Sequence, residues 1–297
     1  MFVRFALLGA ALGVGFHASF DTPRSAPATA TTDSVAIQTV RLRFAAEVGE
    51  TPFSCGGSYA NIGVTKARIT PTDMRFFVHD VRLVRADGSD VPLSLTQDSL
   101  WQFENIALLD FENGGGPCEN GTPQTRNVVE GTVPVGDYAG VRFTIGVPFE
   151  RNHLDLATQP SPLSLTAMFW AWNSGHKFMR VDLQTGLKSF WMVHLGSTGC
   201  TPDGSASTIP TQCTFPNRPT IELSDFSLSR DEVVFDLGRL LARANVSVNQ
   251  PKTAAGCMSG QQDGDCAPLF AALGLPFREQ GAHAQTTFRK RPSGATP

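Results

Sequence analysis

The stretch MRFFVHDVRLVR, residues 74–85, alternates along its two faces and is rich in Val and Phe. A period of two with β-branched and aromatic residues predicts a β-strand. The face that carries Phe77, His79, Val81 and Leu83 is apolar except for the histidine, whereas the opposite face is mixed. A single histidine on an apolar face is typically a partly buried, hydrogen-bonded residue.

The same alternation recurs along the chain at short intervals, with turn residues between the segments. It predicts further strands at 36–48, 106–111, 127–133, 139–145, 178–183, 188–194, 220–223 and 232–236. Helical patterns are few and cover 163–172, 237–244 and 267–273. Because no regular alternation of strand and helix appears, a doubly wound parallel sheet is disfavoured. We expect an all-β fold, an antiparallel β-sandwich with long disulfide-stapled loops and a few short helices.

Composition agrees with a loop-rich β protein. Charged residues make up 17% of the 297 residues, below the ~25% of an average soluble domain. With 28 Gly and 20 Pro, a helical bundle or coiled coil is disfavoured. The formal net charge is −3, and the basic run is confined to residues 289–291. This charge pattern lacks the basic surface that nucleic-acid binding requires.

The first residues predict export. Arg4 precedes the apolar run FALLGAALGVGF, residues 5–16, which is too short to span a bilayer but suits a secretory signal. Ala26-Pro27-Ala28 supplies a cleavage site, so we expect a signal peptide over 1–28. One domain is expected over 36–277. Residues 278–297 lack periodicity and predict a disordered tail.

Cysteine usage also indicates an oxidising compartment. An even number of cysteines outside a signal peptide is typical of disulfides, and six cysteines allow fifteen pairings. The spacing favours two local pairs and leaves a third, long-range pair. The predicted pairs are Cys200–Cys213, Cys257–Cys266 and Cys55–Cys118.

Common catalytic signatures, such as G-x-S-x-G, H-E-x-x-H and the Walker loop, are absent from the sequence. The densest aromatic segment is MFWAWNSGHKFM, residues 168–179. Its Trp170 and Trp172 can belong to the core. As functional residues, they are compatible with a carbohydrate-stacking platform, a soft-metal pocket or a redox-active aromatic. Imidazole and thioether ligands suit copper, especially Cu(I).

Histidines supply the remaining ligand candidates. His194 ends a predicted strand directly before a turn, a common position for a metal ligand. His153 lies in a polar turn, and His176 lies inside the aromatic segment. His79 lies on the apolar strand face, whereas His283 falls in the predicted tail. Spacing alone does not choose among these residues.

Several short motifs together resemble the methanobactin-operon-type periplasmic copper-binding proteins, also called the metallo-mystery-pair four-Cys family. The resemblance covers about residues 38–276, and Cys200, Cys213, Cys257 and Cys266 match the four-Cys motif. The motifs are RFFVHDVRL at 75–83, LLDF at 108–111, GVPF at 146–149, NH at 152–153, PSPL at 160–163, MFWAW at 168–172, KFMRVD at 177–182, HLGSTGC at 194–200 and GCMSG at 256–260.

The resemblance implies a site that matures by oxidation. In the family, a partner di-haem cytochrome c of the peroxidase/MauG-like type oxidises the first Trp of W-x-W to kynurenine, and copper binding depends on that step. Here the implied target is Trp170. Among the histidines, His153 and His194 lie in family-like motifs and are the implied ligands.

Three further residues are weaker ligand candidates, namely His79, His176 and Met179. The family positions that resemble the two histidines are often Ser and Tyr. The implied protein is a periplasmic copper-binding protein of copper homeostasis, with Cu(I) favoured, and not an enzyme. Two alternatives remain: an extracellular sandwich that stacks sugars on Trp170 and Trp172, and a copper enzyme with an open coordination position.

Overall fold

The alternating segments build two packed β-sheets in the computed structural model, which describes Gly15 and residues 35–170, 174–186, 189–204 and 209–294. Apart from Gly15, the predicted signal peptide over 1–28 lies outside the described residues, as does Trp172. From Val35 onward the chain forms one unit.

The secondary structure is mainly short strands with a few helical turns. The strands are β1 (Ile37–Val48), β2 (Thr51–Pro52), β3 (Tyr59–Ile62), β4 (Ala67–Val84), β5 (Asp90–Pro92), β6 (Ser94–Leu95), β7 (Gln102–Phe103), β8 (Ile106–Asp110), β9 (Val128–Pro134), β10 (Gly140–Ile145), β11 (Met179–Thr185), β12 (Phe190–Leu195), β13 (Thr198–Thr201), β14 (Gln212–Phe215), β15 (Thr220–Ser224), β16 (Asp231–Asp236), β17 (Gly256–Cys257) and β18 (Phe288–Pro292). The α-helices are α1 (Phe149–Asn152), α2 (Leu237–Leu241) and α3 (Ala267–Leu273), and 3-10 turns cover Gly116–Cys118, Leu156–Thr158, Thr166–Met168 and Gly264–Cys266.

Two sheets form the sandwich, which confirms the predicted fold class. Within the described residues, the first sheet runs in the order β18-β16-β1-β9-β6, with β2 beside β1. The second runs β15-β10-β4-β11-β12-β17, and β3, β5 and β8 also pair with the long β4. Strand pairing is antiparallel except for β1 with β16 and β12 with β17, which are parallel.

Aromatic rings fill the space between the sheets. Phe76 on β4 contacts Phe44, Phe235 and Phe288 of the first sheet, with ring centroids 6.3, 5.2 and 5.7 Å away. Because side chains alternate along a strand, the neighbouring Arg75 and Phe77 point away from the first sheet. The second sheet therefore has an inner, apolar face and an outer face that loops cover.

A bulge divides the strand face expected from residues 74–85. Asp80 has φ 47°, and the pairing of β4 with β10 shifts register around it. A bulge reverses the alternation beyond it. His79 consequently shares the outer face with Phe77, whereas Leu83, paired with the core residue Val141, lies on the inner face. The four residues do not share one face.

All three predicted disulfides are present. Cys55–Cys118, Cys200–Cys213 and Cys257–Cys266 have S–S distances of 2.26, 2.12 and 2.03 Å. The second pair joins the two strands of the β13–β14 hairpin, and the third joins β17 to the 3-10 turn before α3. The stapled loops predicted from the sequence are thus confirmed.

The disordered tail predicted over 278–297 is wrong for the part that the structure describes. Strand β18 pairs antiparallel with β16 over Phe288–Pro292. Phe288 is buried in the aromatic core, and Arg289 and Arg291 both pair with the buried Glu47. One buried ring and two ion pairs hold a strand too short to show periodicity.

The helix predicted over 163–172 is also wrong for 163–170, the part that the structure describes, since only Thr166–Met168 forms a 3-10 turn there. The backbone pairs with a later segment instead of with itself. Trp170 N donates to Gly175 O and Lys177 N to Met168 O, at 3.0 and 2.8 Å. No helix within the residues that the structure describes is long and apolar enough to cross a membrane.

Candidate metal centre

The outer face of the second sheet carries a row of buried charged side chains. Arg75 on β4 lies opposite Arg180 on β11, which in turn lies opposite His194 on β12. Asp73 and Asp182 form the adjacent row and neutralise the arginines: Arg180 Nε lies 2.9 Å from Asp182 Oδ2 and 3.2 Å from Asp73 Oδ2. Loops cover this face, so His194 is buried at 6% exposure.

Asp182 fixes the orientation of His194. The imidazole Nε2 lies 2.7 Å from Asp182 Oδ1. Burial raises the pKa of Asp182, but the hydrogen bond and charge of His194, together with Arg180, outweigh it and lower the pKa to about 2. A carboxylate only accepts, so Nε2 carries a proton, and in the neutral form of the ring the lone pair lies on Nδ1. Metal-ligating histidines commonly donate their second ring nitrogen to a carboxylate in this way.

His153 ends helix α1 and is oriented by its neighbour. Asn152 is fully buried, and its Oδ1 accepts from the backbone N–H of His176 at 2.8 Å. This bond fixes the amide, so Asn152 Nδ2 is the donor that faces His153 Nε2 at 3.0 Å. Nε2 is therefore the unprotonated nitrogen of His153. Both His153 and His194 thus hold an imidazole nitrogen with a lone pair.

A disulfide lies beside His153. Its Nε2 is 3.3 Å from Cys213 Sγ. Within the described residues, the group of three potential ligand atoms that lie within 4.8 Å of one another comprises His153, Cys200 and Cys213. The two sulfurs are bonded to each other, and metals bind cysteine as thiolate. In the oxidised protein, His153 is the member of this group that can ligate.

Trp170 packs against the turn that follows His194. A Cβ added to Gly196 would lie 2.5 Å from Cη2 of the Trp170 ring and 2.8 Å from the carbonyl oxygen of His176. The absence of a side chain at 196 thus lets the indole approach the backbone. Ser259 Oγ donates to His194 O at 2.9 Å and accepts from Gly196 N at 3.0 Å, so it fixes the turn.

The weaker candidates occupy different surroundings. His176 is fully buried with its ring nitrogens 3.1 Å from Asn152 O and 2.9 Å from Leu163 O. His79 Nδ1 faces Gly146 O at 2.8 Å. Burial lowers the pKa of both histidines despite these carbonyls, which keeps the rings neutral. Met179 is buried on the inner face of β11, opposite to the face that carries His194.

Several residues that sequence reasoning did not single out build this centre, namely Asn152, Asp182, Gly196 and Ser259. Each lies within a motif that carried the family resemblance. Their roles depend on contacts between β11, β12 and distant loops. Single-sequence patterns give no signal for such contacts.

Comparison with known proteins points to one family. The family model described as MbnP matches residues 37–259. MbnP from Methylosinus trichosporium has a solved structure that matches with a TM-score of 0.79 and 29% sequence identity, covering 88% of this chain and 100% of that chain. No curated protein gives a significant match. The matched region contains Trp170, all four candidate histidines and three of the four cysteines of the four-Cys motif.

Proposed function

Because the chain belongs to the MbnP family, we propose that it is a periplasmic copper-binding protein whose ligands include His153, His194 and an oxidised Trp170. The protein acts in copper homeostasis and is not itself an enzyme. Cu(I) is the favoured ion, since imidazole nitrogen is a common copper ligand.

The observation that carries the proposal is the arrangement around Gly196. Asp182 accepts a hydrogen bond from Nε2 of His194, which leaves Nδ1 as the nitrogen that can bind a metal. Gly196 lies two residues after His194, and Trp170 packs on it. Trp170 therefore packs on the turn that directly follows a carboxylate-oriented imidazole, where an oxidised side chain would add a second kind of ligand. Trp191, in contrast, is buried in the core at 2% exposure.

Oxidation would change what Trp170 offers. Oxidative cleavage of its Cγ–Cδ1 bond and hydrolysis of its Cδ1–Nε1 bond would leave a ketone at Cγ and an aromatic amine at the former ring nitrogen, while Cδ1 leaves as formate. Water supplies the oxygen atoms of the ketone and the formate, and four electrons and four protons are removed. An indole N–H only donates, whereas a ketone accepts and an amine has a lone pair. The electrons removed pass to the partner that we propose, a di-haem cytochrome c of the peroxidase/MauG-like type, and from it to hydrogen peroxide, two molecules of which are reduced to water for each Trp170 oxidised.

Co-expression tests the proposal. The full chain is produced with and without a di-haem partner, and copper per chain is measured together with tandem mass spectrometry of Trp170. We expect copper and kynurenine at Trp170, and not at Trp172, when the partner is present. Trp170→Phe should remain copper-poor even with the partner, and the control Trp191→Phe should load normally. Equal copper binding with and without the partner would refute the requirement for oxidation.

A further inference from the structure

A cavity lies on the outer face of the second sheet, beside β8. His194 is not among the residues that line it. Its volume is about 200 Å³. Arg75 and Asp110, each 1% exposed, line it together with the side chain of Trp101. Its apolar wall consists of Leu100, Leu108, Pro162 and Leu165.

The cavity opens to solvent and has an aromatic wall. Leu100 is 48% exposed, and the lining residues Thr122 and Gln124 are exposed as well. Trp101 is half-buried; it packs against the hydrophobic core and also lines the cavity. A small molecule can therefore enter without a change of fold.

The polar end of the cavity is short of positive charge. Three buried carboxyl groups, Asp73, Asp110 and Glu112, surround the Arg75 guanidinium. Arg75 Nε donates to Asp73 Oδ1 at 2.8 Å, and its Nη1 lies 3.6 Å from Glu112 Oε1. Arg180 is shared between Asp73 and Asp182. Asp110 is left without a cation of its own.

Hydrogen bonding and burial set the protonation state of Asp110. Among the described residues, the hydrogen bond that its carboxylate shows is from Glu112 N to Oδ1, at 3.1 Å. Burial raises the pKa of Asp110 to about 8; the Arg75 charge opposes this shift, while Glu112 and Asp73 add to it. At neutral pH a proton thus replaces the missing counter-cation.

From this geometry we propose that the cavity binds a small organic ammonium ion, with the ammonium on Asp110 and the apolar body against Trp101. A carboxylate and an aromatic face are the groups that recognise ammonium ions in proteins. The ligand cation displaces the Asp110 proton to solvent, so charge is conserved in the cavity. The site is separate from His153, His194 and Trp170 and does not depend on copper.

Calorimetric titration of the full chain with benzylamine tests the proposal. We expect saturable binding at pH 8 with a Kd below about 1 mM. Because binding releases one proton from Asp110, affinity should fall about tenfold for each pH unit below about 8. Benzyl alcohol, which is the neutral analogue, should bind at least about tenfold more weakly than benzylamine. The Trp101 indole N–H signal should shift in NMR spectra on benzylamine addition.

Matched variants complete the test. Asp110→Asn should reduce benzylamine affinity to that of benzyl alcohol and abolish its pH dependence. The exposed Asp137 provides the control, and Asp137→Asn should bind benzylamine as the parent protein does. Three results overturn the proposal: no saturable benzylamine binding, equal affinity for amine and alcohol in the parent protein, or affinity that does not change between pH 6 and pH 8.

Discussion

His194 and His153 are each hydrogen-bonded by a different neighbour, and these bonds favour a different tautomer in each ring. Asp182 accepts from Nε2 of His194, and Asn152 donates to Nε2 of His153. In each ring one nitrogen retains its lone pair, which is the form that binds a metal. Asn152, which sets the tautomer of His153, precedes it in sequence. Asp182, which sets the tautomer of His194, lies on the neighbouring strand β11.

Single substitutions should separate ligands from bystanders. In protein with Trp170 oxidised, His153→Ala and His194→Ala should each abolish or greatly weaken copper binding, because each removes a direct bond. Asp182→Asn keeps both imidazoles but removes the carboxylate that orients His194 and pairs with Arg180, and it should cost about 10–100-fold in affinity. His283→Ala should leave copper affinity unchanged, since this residue is exposed and lies outside the motifs that carry the candidate ligands. Competition titration with a Cu(I) chelator measures these affinities; full occupancy in both alanine variants would show that the ligand assignment is wrong.

Gly196 allows a test that leaves every ligand in place. In Gly196→Ala the new methyl group would overlap the Trp170 ring and the His176 carbonyl. The indole must move away, so we expect a lower yield of kynurenine and of copper in co-expressed protein. Gly186→Ala is a suitable control for expression, because no atom lies within 4 Å of a Cβ there, although its φ of 88° strains the turn. Unchanged oxidation in Gly196→Ala would mean that this contact does not position Trp170.

At the scale of elements, strand β18 shows what a tail can contribute. Phe288 is 3% exposed and packs against Phe76, Phe143 and Phe235. Phe288→Ala should lower the free energy of unfolding by about 3–5 kcal/mol. Phe190→Ala, at a position 57% exposed, should stay within about 0.5 kcal/mol. Urea unfolding compares the two variants, and equal small losses would indicate that β18 does not belong to the folded core.

The longer elements were predictable because their signal is local. Nine strands, all three disulfide pairs and the helices near 237 and 267 follow from alternation and spacing. The failures involve partners distant in sequence. β18 depends on Glu47, more than 200 residues away, and on rings from β4, β10 and β16. Residues 168–170 form hydrogen bonds with 175–177 instead of continuing a helix.

The candidate site divides in the same way. His153, His194 and Trp170 were found through a family resemblance, which the MbnP match confirms. Residue periodicity alone did not distinguish His153 and His194 from His79 and His176 as candidate ligands. The bulge at Asp80, which reverses the strand face, and the contact of Trp170 with Gly196 have no signature in a single sequence.

For the whole molecule, the outer sheet face makes stability depend on pH. The pKa of Asp110 is about 8 in the folded protein, against about 3.9 in an unfolded chain. Between these values the folded state holds a proton that the unfolded state has lost. Stability from this group is therefore complete below pH ~4 and falls as pH rises toward 8, by at most about 1.4 kcal/mol per unit.

The substitution Asp110→Asn removes the carboxyl group that titrates, and with it this pH dependence of stability. The free energy of unfolding of Asp110→Asn, relative to the parent, should rise by roughly 1–3 kcal/mol between pH 5 and pH 7. Titrating groups that do not interact with Asp110 contribute equally to both proteins and cancel in the difference. Denaturant unfolding at the two pH values measures it, and a constant difference would show that Asp110 is ionised in the folded protein at pH 5.

Copper binding and oxidation of Trp170 are expected to occur together in this chain. Intact mass measurement combined with metal analysis of the native protein, isolated from the cells that produce it, tests this directly. We predict copper in the protein and a mass that corresponds to one carbon exchanged for one oxygen, located at Trp170 by tandem spectrometry. Copper-loaded native protein with an unmodified Trp170 would contradict this expectation.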